Sequence, residues 1–583
     1  MKPPGLSKSR IAAWRQCPRK LWLQVHRPDL LEVSEEVERG HQIGYEVAEV
    51  ARSLFPNGVL IDGETDLQSA LDATHSTMRQ FPDRPLYEAT FQHDNVLVRA
   101  DLLLPTPTGY RMVEVKSSAS VKPSHWDDCA LQAWVLRQSG VSLSTVELAH
   151  IDTAFVYQGN GDYQGLLHHA PLDADIEPMM ESVAHWIDQA RLVLQGTEPA
   201  TATGAQCDDP VECPFKSHCG VAATEEMPEP DYTLDVFPRM RSALKNELRA
   251  QGVFDALLVP QDHLNETQLR VQECSRTGQM WLSDAAARVL GGLPYPRYYL
   301  DFETIKLAVP RWANTSPHRT QVPFQWSCHI EEESGELRHA MFLDVTGNDP
   351  RRQFAQSLVE VVGDKGPVLV YFQGFEKSRI AELAALYPDL AAQLEAINDR
   401  VIDLLPLTRE SYYHPNMRGS WSIKAVLPTV APDLDYGQIA VSNGTAAQTA
   451  YAEIVHPETT DARRQLLTEG LREYCKLDTL AMVRLAHFLS ETTSWRYFLP
   501  AIGNGGAPFF HALREDAPLD PPLQEAAELL RERCRSADNR VIPDAVSWLQ
   551  RKLRSGYVRT QALVQELTAA GVLSSLVERQ KQR

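Results

Sequence analysis

The stretch LYEATFQHDNVLVRADLLL at 86–104, with YRMVEVKSS following at 110–118, decides how the first half of the chain folds. Apolar and polar residues alternate with a period of two, as half-buried strands require. Asp94-Asn95 is a turn pair between two such runs, and a Pro/Thr/Gly turn precedes the second stretch. The pattern predicts a hairpin and then a third strand at 110–116, with Asp101 ending the middle strand. On the third strand Glu114 and Lys116 are two apart and therefore share a face.

Two carboxylates beside a lysine suit metal-assisted phosphodiester hydrolysis. Asp101 and Glu114 would hold Mg2+ or Mn2+ through oxygen, and Lys116 would orient water and neutralise developing charge. A surface salt bridge has the same residue pattern. The flanks favour the site. Upstream, GHQIGYEVAEVARSLFP (40–56) places His41 near a helix start, and downstream DDCALQAWVL (127–136) carries Gln132 on a helix that packs on the sheet.

His41, Asp101, Glu114-x-Lys116 and Gln132, in that order, resemble the PD-(D/E)xK nucleases of the RecB type, nearest the branch with the iron–sulfur exonucleases of CRISPR adaptation. The resemblance implies that His41, Asp101 and Glu114 ligate metal and that Lys116, with Gln132, is catalytic. The helix motif of that family usually continues to a tyrosine four residues on; here Leu136 holds that position, with Trp134 nearby.

SKSRIAAWRQCPRKLWL (7–23) contains Cys17, and CDDPVECPFKSHCG (207–220) contains Cys207, Cys213 and Cys219. Four thiolates hold either zinc or a [4Fe–4S] cluster. Structural zinc sites usually use C-x2–4-C pairs, whereas this one-plus-three arrangement suits the cluster. The resemblance implies the cluster as well, as a staple closing a long loop of chain.

In the second half YYLDFETI (298–305) puts Asp301 and Glu303 on one face of an apolar strand. PFQWSCHIE (323–331) and AMFLDV (340–345) continue as a meander. PVLVYFQGFEKSRIAELAALY (367–387) reads as a strand at 367–372 and a helix opening near Phe375, with Glu376 in its first turn, where the helix dipole favours a carboxylate. In LREYCKLDTLAMVRLAHFL (471–489) Tyr474 and Asp478 lie one turn apart on an amphipathic helix. Asp301, Glu303, Glu376 and Asp478 would form a two-metal site, and Tyr474 would position the attacking water. The set resembles the DEDD exonucleases of the RNase H-like fold whose last motif is Y-x-x-x-D. That family has aspartate where Glu376 stands, and Asp403, in RVIDLLPL (400–407), is the second candidate ligand.

The fold class expected is therefore α/β. Residues 1–222 form a PD-(D/E)xK restriction-endonuclease-like domain stapled by four cysteines, 233–290 a helical connector, 291–500 an RNase H-like (DnaQ-like) domain, and 505–583 a helical tail. An acidic, Pro-containing linker, EEMPEPDY, spans 225–232. The arrangement resembles a bacterial family of fusion nucleases. It implies a DNA nuclease of repair or defence, acting on single-stranded or ended DNA with a helicase or defence-system partner. One active site beside a binding scaffold, or an RNA-directed exonuclease, are the alternatives.

The 583 residues exceed one core. A net charge of −20, from 57 basic and 77 acidic residues, excludes a protein that coats nucleic acid by counterion release. Arginines at 530–540 and 548–559 form either a phosphate-contacting face or a solvated helix surface. No apolar run reaches the ~20 residues of a membrane span, and no signal-peptide core follows the basic N-terminus, so a cytoplasmic protein without a membrane partner is expected.

Overall fold

Asp94 and Asn95 both take positive φ, 46° and 56°, the backbone that a two-residue turn between twisted strands demands. Around that turn the computed structural model builds its first sheet. It describes residues 5–490 except 33–34, 63–65, 225–229, 435–436, 438 and 440. The strands are β1 (Leu6–Ser7), β2 (Val59–Leu60), β3 (Leu86–His93), β4 (Val96–Thr106), β5 (Gly109–Lys116), β6 (Leu143–Ile151) and β7 (Leu167–Pro171). Their order is β2-β3-β4-β5-β6-β7, with β1 pairing parallel to β4. β3–β4–β5 is antiparallel and β5–β6 parallel.

Among the described residues seven α-helices accompany this sheet: α1 (Lys8–Gln16), α2 (Pro18–His26), α3 (Glu35–Ser53), α4 (Leu67–Gln80), α5 (Pro123–Gln138), α6 (Asp173–Gln195) and α7 (Lys216–Thr224). The period of two sorts the strand residues. Leu103, Met112, Val146 and Leu148 pack with α1, α5 and α6, while Leu102, Leu104, Val113 and Ala149 pack with α3. Asp101 does not end its strand: β4 continues through Pro105 to Thr106, because Leu102, Leu103 and Leu104 are buried on alternate faces.

The second half is also mixed α/β. Its helices are α8 (Ser242–Ala250), α9 (Glu266–Thr277), α10 (Ala285–Gly291), α11 (Arg351–Val362), α12 (Gln373–Leu386), α13 (Ala391–Asp399), α14 (Leu404–Ser411), α15 (Ile423–Val430), α16 (Gly444–Ile454) and α17 (Asp461–Ser490). A short pair joins β8 (Trp281–Leu282) to β14 (Tyr412–Tyr413). The main sheet contains β9 (Arg297–Ile305), β10 (Val322–Glu331), β11 (Leu337–Leu343), β12 (Val368–Val370) and β13 (Val401–Asp403), in the order β11-β10-β9-β12-β13. β9, β10 and β11 are antiparallel neighbours, and β9, β12 and β13 run parallel.

Alternation along β9 positions the second carboxylate pair. Tyr298, Leu300 and Phe302 pack under α11, α12 and α13. The odd residues face the other way, towards α17, and carry Asp301 and Glu303 with them. The strand expected over 367–372 is only Val368–Val370, because the chain turns at Phe372.

The segment expected as a helical connector shares one core with the second half: Leu234, Val271 and Leu290 pack with Tyr299, Tyr412 and Leu485. Gly419 (φ 79°) allows part of this contact, since a Cβ there would stand 1.8 Å from the Val236 carbonyl oxygen. Residues 306–321, between β9 and β10, reach into the first half. Ala308 and Val309 join the core under α3, Tyr157 bridges Thr315, and the His318 Nε2 hydrogen-bonds the Ser117 carbonyl at 2.7 Å. The tail at 505–583 and most of the expected linker lie outside the described residues. Among the described residues no helix is long and apolar enough to cross a membrane.

Candidate functional sites

Register places the first carboxylate pair face to face. Leu102 pairs with Val113, so the next step along β4 and β5 sets Asp101 opposite Glu114. Glu114 is 2 % exposed and fully engaged. Its Oε1 accepts the ammonium groups of Lys8 at 2.7 Å and Lys116 at 2.8 Å, and its Oε2 accepts the Gln132 amide at 2.6 Å. Lys116 also reaches Asp128 at 2.8 Å. Asp101 Oδ2 accepts the Val115 backbone N–H at 2.7 Å.

Burial pushes both carboxyls up, and the two resolve differently. Two ammonium neighbours hold Glu114 well below the usual carboxylate range. Asp101, dehydrated and facing Glu114, rises to about 7. Burial works against the charge on Lys8 and Lys116, but Glu114 more than offsets it and both are raised. His125, on α5, is pulled down to about 4 by burial and by Lys116.

Gln132 is brought to the site as expected for its helix position. Leu136, one turn on, is fully buried in the core, so it faces the sheet and offers no surface to a ligand. His41 lies in the second turn of α3, exposed, and it does not join Asp101 and Glu114 in any set of ligand atoms within 4.8 Å of one another. Lys8 is the residue the sequence reading missed. The one hint was a lysine at the first position of a helix, where the dipole disfavours a cation.

Cys17, Cys207, Cys213 and Cys219 line one cavity, together with Lys20, Leu23 and Phe215. Hydrogen bonds hold its walls: Gln16 Nε2 donates to the carbonyls of Gln206 (2.8 Å) and Val211 (2.6 Å), and Trp22 Nε1 to that of Gly196 (3.1 Å). Burial raises the Cys213 thiol, with Lys20 pulling the other way and Cys207 and Cys17 adding to the rise. No three of the four thiols lie within 4.8 Å of one another.

The second site is more compact. One oxygen each from Asp301, Glu303 and Asp478 lies within 4.8 Å of the others, two carboxylates from β9 and one from α17. Burial and mutual repulsion raise all of the neighbouring acids: Asp301 by burial and Asp478, Glu303 by burial, Asp301 and Asp478, and Glu376 by burial and Asp301. Glu376 is 2 % exposed, and its Oε2 has no hydrogen-bond partner among the described residues. Tyr474 is buried beside Asp478, and burial and the surrounding carboxylates raise its phenol.

Asp403 has a different task. It caps α14, taking the Leu405 N–H at 2.9 Å, and also accepts the N–H groups of Phe372 (2.9 Å) and Gln373 (3.0 Å). Glu376, whose Oε2 is unbonded and which interacts with Asp301, is the better placed of the two acids to face the cluster. The residue missed here is Lys424, on α15. Its Nζ stands 4.8 Å from the Tyr474 ring centre and donates to the Ser442 carbonyl at 2.6 Å. Burial lowers its pKa, and Asp478, Glu303 and Asp301 work to raise it.

Residues 298–422, which include Asp301, Glu303 and Glu376, match the family described as a domain of unknown function, DUF2779. The chain is also 24 % identical over 238 residues to "Uncharacterized protein UU173" of Ureaplasma parvum, covering 37 % of this chain and 34 % of that one. It thus spans about a third of that relative's length.

Proposed function

We propose that the chain is a metal-dependent nuclease with two hydrolytic sites, one in each half. The observation that carries this reading is the convergence of Asp301, Glu303 and Asp478 to within 4.8 Å, beside an unbonded Glu376 oxygen. So many buried acids repel one another, and divalent cations are what such a donor set suits. Mg2+ or Mn2+ bound there would stabilise charge on the attacking and leaving oxygens of a phosphodiester. Tyr474 would orient water, and Lys424 would offset charge at the phosphate. The strand order, three antiparallel strands followed by two parallel to the first, supports an RNase H-like reading of this half.

In the first half Asp101 and Glu114 are the carboxylates, with Lys116 and Gln132 bonded to Glu114, which supports the RecB-type reading. His41, exposed on α3, remains the third ligand this reading assigns beside Asp101 and Glu114. That Cys17, Cys207, Cys213 and Cys219 line one cavity supports the iron–sulfur reading made from their spacing.

End-labelled single-stranded DNA, duplex DNA and RNA, incubated with anaerobically purified full-length protein and Mg2+ or Mn2+, test the proposal. Lys116→Ala and Asp301→Ala are each expected to remove a different subset of products, and the double variant all of them. A double variant indistinguishable from wild type on every substrate would sink the proposal.

A further inference from the structure

Phe372 is a bulky aromatic residue in left-handed backbone, φ 81° and ψ 68°, at the N-cap of α12. Such a conformation is strained for any residue with a large side chain and persists only where the surroundings impose it. Asp403 imposes it, by accepting the N–H groups of both Phe372 and Gln373. Folding gains little in return, because the ring is 59 % exposed. Phe372 precedes Glu376 by four residues, and Glu376 is repelled electrostatically by both Asp301 and Asp403.

An exposed aromatic ring, held in left-handed backbone one helical turn before Glu376, has the properties of a stacking platform. We propose that Phe372 binds an unpaired nucleobase of the strand entering the second site, with Asp403 as the residue that positions it. The inference rests on the nuclease reading of that site. Base stacking on an aromatic ring is tolerant of sequence and needs single-stranded nucleic acid.

Fluorescence anisotropy on the full-length protein in Ca2+ tests it with a labelled oligothymidine and an abasic strand of equal length. Wild type is expected to bind the intact strand about 10-fold more tightly than the abasic one. Phe372→Ala should erase that difference and Phe372→Tyr should keep it. Phe372→Gly should raise the melting temperature, since glycine adopts positive φ without strain; a purely structural Phe372 would give a fall. The proposal is overturned if wild type does not distinguish the strands, if Phe372→Ala still does, or if Phe372→Gly lowers the melting temperature. The nuclease reading fails separately, if Asp301→Ala cleaves every substrate as wild type does.

Discussion

A buried carboxylate with an unbonded oxygen destabilises a fold unless something else neutralises it. Glu376 is in that position, and Asp301 and Glu303 share its raised pKa. An acid whose folded pKa exceeds its unfolded value binds more protons when folded, so its contribution to stability falls as pH rises between the two values. Glu376→Gln is therefore expected to stabilise the metal-free protein by about 1 kcal/mol at pH 8 and to weaken Mn2+ binding at the same time. Thermal melts with and without Mn2+ check both; a destabilised metal-free variant would contradict the role given to Glu376. The acids themselves were legible in the sequence, because period two on β9 and period 3.6 on α17 fix their faces. Which of Glu376 and Asp403 faces the cluster was not, since that depends on the left-handed turn at Phe372. Lys8 and Lys424 were hidden for a related reason: each arrives from an element distant in the chain.

At the scale of elements, α17 is tied to the second sheet by more than apolar packing. Thr479, next to Asp478, exchanges hydrogen bonds with Ser327 Oγ (2.9 Å) and His329 Nδ1 (2.8 Å), and Ser327 bonds the His339 Nε2 at 2.8 Å. Burial, together with Lys476, pulls both histidines down to about 4. A histidine whose folded pKa lies below its unfolded value near 6.5 stabilises fully above that value, and the contribution is lost as pH falls towards 4. Each histidine is expected to cost the fold about 2 kcal/mol between pH 7 and pH 4.5, opposite in sign to the carboxylates. Denaturant unfolding of wild type and His339→Gln at the two pH values checks this. An unchanged pH difference in the variant would contradict it. Periodicity foretold these strands; it gave no sign of the network, whose partners lie about 150 residues apart.

For the whole molecule, residues 306–321 connect the two halves. Besides the His318–Ser117 contact, Arg311 pairs with Glu46 at 3.1 Å and Tyr163 donates to the Pro310 carbonyl at 2.9 Å. The same segment follows Glu303 and touches the residue after Lys116, so the two carboxylate groups are parts of one packed body. The motifs placed one carboxylate group in each half of the sequence. The shared core of 234–290 with the second half was not readable, because short helices carry little periodic signal. The proposed function stands or falls on divalent metal at the Asp301, Glu303, Glu376 and Asp478 cluster. Calorimetric titration of the full-length protein with Mn2+, comparing wild type with Asp301→Asn/Asp478→Asn, is the decisive experiment. The variant is expected to lose the ions of the second site and to keep any bound at Asp101 and Glu114. An isotherm with unchanged stoichiometry and affinity would show that the cluster holds no metal.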